Sequence, residues 1–272
     1  MTDSRLRVIL CTNGGLHGAL VLGRLLHAPH VQVVGLVRSS RAVRASYGFW
    51  RGAYEHVRLS GVAYALYLWC STSLADMMLG STSTGALARR QHIPVHTTRN
   101  ANDAASLAFA GQCSPDLLVS AFFNQRIHVP LTTLPRYGAV NIHPSLLPAF
   151  RGVDPVFFGR LRQSSESGVS VHRMDVELDA GNILCRETVP PGGDESVFAA
   201  TAKRYDRGAQ LLVDALPAIG AGAPGTPQPP GETYDSWPTS AQVRALRAQR
   251  IKLVQPRDLW NLLRARPQHD AA

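Results

Sequence analysis

Residues 138–184 read GAVNIHPSLLPAFRGVDPVFFGRLRQSSESGVSVHRMDVELDAGNIL. Asn141 and His143 alternate with Val140 and Ile142, so a strand there sends the polar pair to one face and the apolar pair to the other. Pro144 and Pro148 then stiffen an irregular loop. Asp179 follows in Leu178-Asp179-Ala180-Gly181, a turn between apolar segments 169–173 and 183–189, which are expected to form a strand pair. Polar groups at the carboxyl end of a parallel strand are where α/β sheets hold ligands. An amide, an imidazole and a carboxylate could therefore converge at one strand end. By spacing alone they also fit satisfied polar groups near a turn.

Upstream, the apolar run 6–11 leads into Thr12-Asn13-Gly14-Gly15, a helix-like stretch to residue 27 and a second apolar run at 31–37. Strand, glycine turn, helix, strand is how a parallel α/β sheet opens. Further strands are expected at 93–95, 117–120 and 139–142, separated by helices near 82–92, 101–111 and 127–134. A long helix is expected over 194–219, with Asp194 and Glu195 in its first turn, where the dipole favours acids. The fold class this gives is α/β, a Rossmann-like and mostly parallel sheet with a short helical C-terminal tail.

The 272 residues are 45% apolar and 17% charged, which excludes disorder as the main state. Basic residues number 28 against 19 acidic, a net charge of +9, and only Lys203 and Lys252 are lysines. Arginine suits phosphates and carboxylates. No basic run exceeds two residues, so the charge alone does not establish nucleic-acid binding. The four cysteines lie far apart, which argues against a disulfide scaffold or thiolate zinc site. The N-terminus has none of the features of a signal peptide. A reduced, cytoplasmic protein is expected.

Two regions interrupt the α/β rhythm. Segment 41–81 is aromatic and arginine-bearing and contains GVAYALYLWC at 61–70, an apolar run too short to cross a bilayer. It reads as a buried helix or subunit contact, or as a lid or apolar pocket over an acceptor. Segment 220–231, GAGAPGTPQPPG, reads as an extended linker. The helices expected at 240–249 and 256–265 cannot bury a core alone and should pack back on the main domain. The organisation is then a catalytic domain over 1–219, a linker over 220–239 and a tail over 240–272.

The Asn141, His143 and Asp179 set suits acyl transfer. An asparagine donates to a developing oxyanion, a histidine shares that role, and a carboxylate orients or relays a proton. No nucleophile is present, because Ser145 lies in no G-x-S-x-G elbow. Direct attack by an external amine is the simpler route.

Asn141-Ile142-His143-Pro144-Ser145-Leu146-Leu147-Pro148, then Gly168-Val169-Ser170-Val171-His172 and Glu177-Leu178-Asp179-Ala180-Gly181, resemble the formyltransferase family. The resemblance covers roughly residues 6–219. It implies 10-formyltetrahydrofolate as formyl donor, no metal, and Asn141, His143 and Asp179 as the catalytic set. It implies a folate cleft along Phe122, Phe123, Arg126 and Ile127, with a pterin-holding loop at Met174, Val176, Glu177 and Leu178. Asn13, Gly14 and Gly15 match a turn where some members hold an acceptor phosphate, and Arg151 is expected at the acceptor mouth. His172 reads as a core or cleft-wall residue.

The expected acceptor is a small-molecule amine, such as an amino sugar nucleotide. Methionyl-tRNA is possible but disfavoured, because the tail lacks strand signals. A 10-formyltetrahydrofolate hydrolase and a non-catalytic folate- or nucleotide-binding module are the alternatives. A homodimer is possible, and no membrane partner is expected.

Overall fold

The computed structural model describes residues 5–41, 46–229 and 234–264. Parts of the expected insertion (42–45), linker (230–233) and tail (265–272) lie outside the described residues. Seven strands form one sheet: β1 (Leu6–Thr12), β2 (Val31–Ser39), β3 (Val95–Thr98), β4 (Leu117–Ala121), β5 (Ala139–His143), β6 (Gly168–Arg173) and β7 (Ile183–Thr188). Their spatial order is β3-β2-β1-β4-β5-β6-β7. β3 to β5 run parallel across the sheet, while β6 and β7 add antiparallel.

β1 is apolar without alternation because both its faces are covered. Val8 and Leu10 enter one core with α1 (Gly15–His27) and α8 (Val197–Gly220). Ile9 and Cys11 enter a second core with α6 (Ala104–Cys113). The chain runs outward from β1 to β3 and returns on the far side of β1 at β4. That reversal opens a crevice at the carboxyl ends of β1 and β4, one strand from β5.

Three expected elements differ. No helix forms at 127–134, which is a series of turns; Pro130 and Pro135 remove backbone donors there. The strand expected at 93–95 lies at Val95–Thr98, beginning after Pro94, which cannot donate to a ladder. The long helix begins at Val197, with Ser196 accepting from the Ala199 N–H at 3.0 Å, so Asp194 and Glu195 precede the cap. Glu195 instead folds back to accept from the Gly192 N–H at 3.1 Å.

The insertion is α2 (Phe49–Ser60), α3 (Val62–Trp69), a wide π turn (Cys70–Leu74) and α4 (Ala75–Leu79), and a 3-10 turn (Gly80–Thr82) leads from it into α5 (Thr84–Arg90), the helix expected near 82–92. Helical turns follow one another from Val62 to Arg90, 29 residues, long and apolar enough to cross a membrane by length and composition. The ten-residue run seen in the sequence is thus part of a longer helical stretch. Tyr64, Tyr67, Ser71, Ala75 and Leu79 form its buried stripe, while Leu66, Trp69 and Met77 are exposed. Buried helix and exposed face coexist in one element.

α9 (Ser240–Ala248) and α10 (Pro256–Arg264) return to the body. Val243, Leu246 and Leu262 join Tyr64, Tyr67 and Leu79 of the insertion in a core completed by Phe157 and Phe198. α7 (Pro155–Leu161) supplies Phe157 to that core. The free N–H groups of the first turn of α8 are satisfied by this return: Val197 donates to the Lys252 carbonyl at 3.0 Å and Phe198 to Leu253 at 2.9 Å. Asp154, at the start of α7, accepts from the Tyr64 hydroxyl at 2.9 Å and from the Phe157 N–H at 3.1 Å. Burial pushes its carboxyl up to about 6.

Candidate active site

β5 and β6 pair so that Asn141 lies opposite His172 and His143 opposite Ser170. The Asn141 amide nitrogen meets His172 Nε2 at 3.1 Å. His172 Nδ1 lies 2.8 Å from the Arg173 carbonyl, which can only accept, so Nδ1 carries the proton and Nε2 keeps its lone pair. Asn141 therefore donates one N–H to His172. Burial lowers the His172 pKa to about 4, and this acceptor form holds at neutral pH.

His143 is buried, and its Nε2 lies 2.9 Å from the Phe150 carbonyl. By the same reasoning Nε2 bears the proton and Nδ1 is free to accept. Asp179 Oδ1 stands 3.7 Å from His143 Nδ1 and 3.7 Å from His172 Nε2. Both separations are too long for a direct hydrogen bond. An amine with two N–H bonds, set against both acceptors, would match His143 Nδ1 and Asp179 Oδ1. Asp179 Oδ2 accepts from the Gly152 N–H at 3.0 Å, and the residue itself is left-handed at φ 53°.

The structure thus brings Asn141, His143 and Asp179 together and adds His172, which reads in the sequence as a core or cleft-wall residue and is buried. Its position opposite Asn141 depends on the β5–β6 register, and strand spacing alone does not fix a register.

The residues expected along the folate cleft separate into two sets. The Phe122 ring lies 4.4 Å from His17 and 5.8 Å from Tyr205, on the core side, and Ile127 is buried. The Ile127 side chain thus faces inward, while Phe122 is half-buried. Phe123 and Met174 each pack, half-buried, against the second core. Arg126 donates to the Val176 carbonyl and ties this segment to the loop containing Glu177 and Leu178, where the Val176 side chain is exposed.

The turn before α1 is already engaged. The Asn13 side chain accepts from the Asn124 N–H at 3.2 Å. The Gly15 N–H donates to Asp76 Oδ1 at 3.1 Å, and Asp76 pairs with Arg38. Gly14 and Gly15 have φ of 80° and 65°, and a Cβ on Gly15 would run into the Ser71 carbonyl of the π turn. The anion on this helix start is a carboxylate from the insertion, which corrects the expectation of a turn open to an acceptor phosphate.

Arg151 is buried and donates to Gln228 Oε1 at 3.0 Å, with Glu177 at 4.0 Å. Among the described residues no group of three or more His, Cys, Asp or Glu has the spacing to hold a metal.

A family model described as "Formyl transferase" matches residues 82–216, the part of the chain that contains this site. Over that segment, just under half of the chain, the sequence is similar to the formyl transferase family. It is 36% identical over 149 residues to a methionyl-tRNA formyltransferase of Roseiflexus sp. (strain RS-1), covering 55% of this chain and 46% of that one. It is 37% identical over 134 residues to a methionyl-tRNA formyltransferase of Levilactobacillus brevis, covering 49% and 42%. The matches thus span just under half the length of these relatives. The fold is similar to glycinamide ribonucleotide transformylase 1 from Symbiobacterium toebii, with TM-score 0.55 and 17% identity over 84% of this chain and 95% of that one. It is also similar to a 4-N formyltransferase from Francisella tularensis, with TM-score 0.54 and 18% identity over 85% and 76%.

Proposed function

We propose that the chain is an N-formyltransferase that moves the formyl group of 10-formyltetrahydrofolate to an acceptor amine. The observation that carries this reading is the placement of the Asn141 amide, the His143 imidazole and the Asp179 carboxylate around one point at the end of β5. 10-Formyltetrahydrofolate supplies the formyl carbon. Arg126 and the backbone of Val176 to Leu178 would hold its ring system. Asn141 has one N–H committed to His172 and the other available to an oxygen that gains negative charge. His143 and Asp179 present two acceptors that orient the attacking amine and receive its proton. Burial of His143 keeps this exchange out of bulk water, where such interactions weaken.

For the acceptor, a metabolite amine is our first reading. It is supported by the tail, which folds onto the insertion and shares a core with it. A methionyl-tRNA acceptor is the second reading, supported by the matched relatives and by the net charge of +9. The test is release of tetrahydrofolate from 10-formyltetrahydrofolate in the presence of amino sugar nucleotides, glycinamide ribonucleotide, amino acids or charged initiator tRNA. A no-amine control and the His143→Ala variant run alongside. Release that needs one amine pool and His143 supports transfer and identifies the acceptor class. Release without any amine points to hydrolysis instead.

A further inference from the structure

Residues 221–229 and 234–237 look like a linker by composition, yet they lie across the loops that carry the site. Thr226 and Ile183 exchange two backbone hydrogen bonds, each 2.8 Å, which pins the segment beside the start of β7. Arg173 donates to the Ala223 carbonyl at 2.6 Å and Asn182 to Pro224 at 3.1 Å. Further along, Asp235 donates its N–H to the Arg151 carbonyl and accepts from the Val153 N–H, both at 2.9 Å. Its carboxylate pairs with Arg162 at 2.5 and 2.8 Å. Gly152 lies against this strand of backbone, and a Cβ there would collide with the Asp235 carbonyl.

Gln228 stands where these contacts meet Asp179. Its Nε2 donates to the Asp179 carbonyl at 3.0 Å and to the Gly181 carbonyl at 2.6 Å. Its Oε1 accepts from Arg151 at 3.0 Å. One primary amide thus closes the Asp179-Ala180-Gly181 turn from behind, with two donors facing two carbonyls and one acceptor facing a guanidinium. The left-handed φ of Asp179 is a conformation that a non-glycine residue holds only when its surroundings impose it. The other side of Asp179 is held by the Gly152 N–H, whose neighbours are fixed by Asp235.

We propose that Gln228 is a positioning residue for Asp179, and that residues 223–229 and 234–237 act as a strap that sets the carboxylate against His143 and His172. The inference rests on the formyltransferase reading for its consequence in catalysis, but not for the positioning itself. Glutamine is the side chain this geometry demands. Glutamate would oppose carboxylate oxygens to two carbonyls, and alanine would leave the turn unclamped.

The test compares Gln228→Ala and Gln228→Glu with wild type and with Asp179→Asn as the reference for a lost carboxylate. Two readouts are taken on protein whose circular dichroism and melting midpoint match wild type. The first is steady-state kinetics with 10-formyltetrahydrofolate and the accepted amine. Misplacing a reacting group by about 1 Å costs about 100-fold, so kcat should fall between about 10- and 100-fold while KM for the formyl donor moves less than about 3-fold. The second is NMR titration of the His143 and His172 imidazoles without substrate, whose signals in both Gln228 variants should shift toward those of Asp179→Asn. Wild-type imidazole titrations in both Gln228 variants overturn the proposal. So does a wild-type kcat in both Gln228 variants where wild type turns over an amine. Should wild type turn over no amine at all, the function reading fails while the imidazole titrations still decide the positioning role.

Discussion

Asn141 and His172 face each other across the β5–β6 pair, and His172 determines which end of the Asn141 amide enters the site. His172 Nδ1 is engaged by the Arg173 carbonyl, so its Nε2 can only accept. The amide nitrogen of Asn141 is therefore turned toward His172, and its second N–H remains for an oxyanion. A flipped amide would set oxygen against a lone pair and lose that donor.

Replacing the donor tests the assignment directly. Asn141→Ala should lower kcat by about 10²–10³-fold, or ~3 kcal/mol, the usual loss for one oxyanion donor. His143→Ala should lose at least as much. Both variants should keep the wild-type circular dichroism spectrum, and near-wild-type turnover by either one would sink the catalytic assignment.

His172→Ala should cost less than Asn141→Ala, roughly ten-fold out of about 10²–10³, because it frees the amide to rotate without removing it. In the double variant the two losses should fall short of multiplying, since both act through one donor. Independent, fully multiplied losses would mean that His172 does something other than orient Asn141.

Buried imidazoles make the fold sensitive to acid. Burial lowers His17 to about 3 and His172 to about 4, while their unfolded values lie near 6.5. The unfolded chain thus binds more protons at these two sites as pH falls below about 6.5. Their contribution to stability is present above that pH and is lost progressively toward the folded values. Asp154 works the other way over about 3.8 to 6, since burial raises its folded pKa to about 6. The two imidazoles thus contribute a stability that rises with pH between about 4 and 6.5, which the raised carboxyls of Asp154 and Asp76 oppose at the acid end. His17 packs among Phe122, Phe198 and Tyr205. His17→Phe should therefore flatten the acid limb of urea-denaturation midpoints measured from pH 7 to 4. An unchanged slope would show that His17 does not titrate on unfolding in this range.

The start of α1 should be fragile. Asp76→Ala removes the acceptor of the Gly15 N–H and the partner of Arg38, and should destabilise by about 1–3 kcal/mol, the cost of leaving such groups unmatched. Gly15→Ala should be worse, since both its φ of 65° and the Ser71 carbonyl oppose a side chain. Chemical denaturation ranks the two variants, and a Gly15→Ala protein as stable as wild type would contradict the close approach of the π turn.

Much of this architecture was legible because burial writes itself into sequence. β1 reads as a strand from its apolar run, and the Asn141 and His143 alternation survives intact in β5. The tail helices stand where their apolar spacing put them. Local patterns also misled: 127–134 has helical composition, but its prolines win. Contacts across long separations were not legible. Asp76 reaches Gly15 across 61 residues and Gln228 reaches Asp179 across 49. No local pattern marks a carboxylate or an amide for a particular distant partner. Proline and glycine mark residues 220–231 as a linker by composition, but not what residues 223–229 lie against. The residue opposite Asn141 could not be known before the register of an antiparallel pair was seen.

The strap also gives the molecule an order of completion. Chains emerge from the ribosome at about 5–20 residues per second, and earlier parts begin to fold first. The seven strands, with Asn141, His143 and Asp179 among them, are synthesised before residue 223. Gln228 follows Asp179 by 49 residues, a delay of roughly 2–10 seconds at those rates. Late in that interval, once β7 has been made, a nascent chain has the residues of the sheet and the reactive side chains but lacks the amide that closes the Asp179 turn. Adding Gln228 is therefore the step that sets the carboxylate.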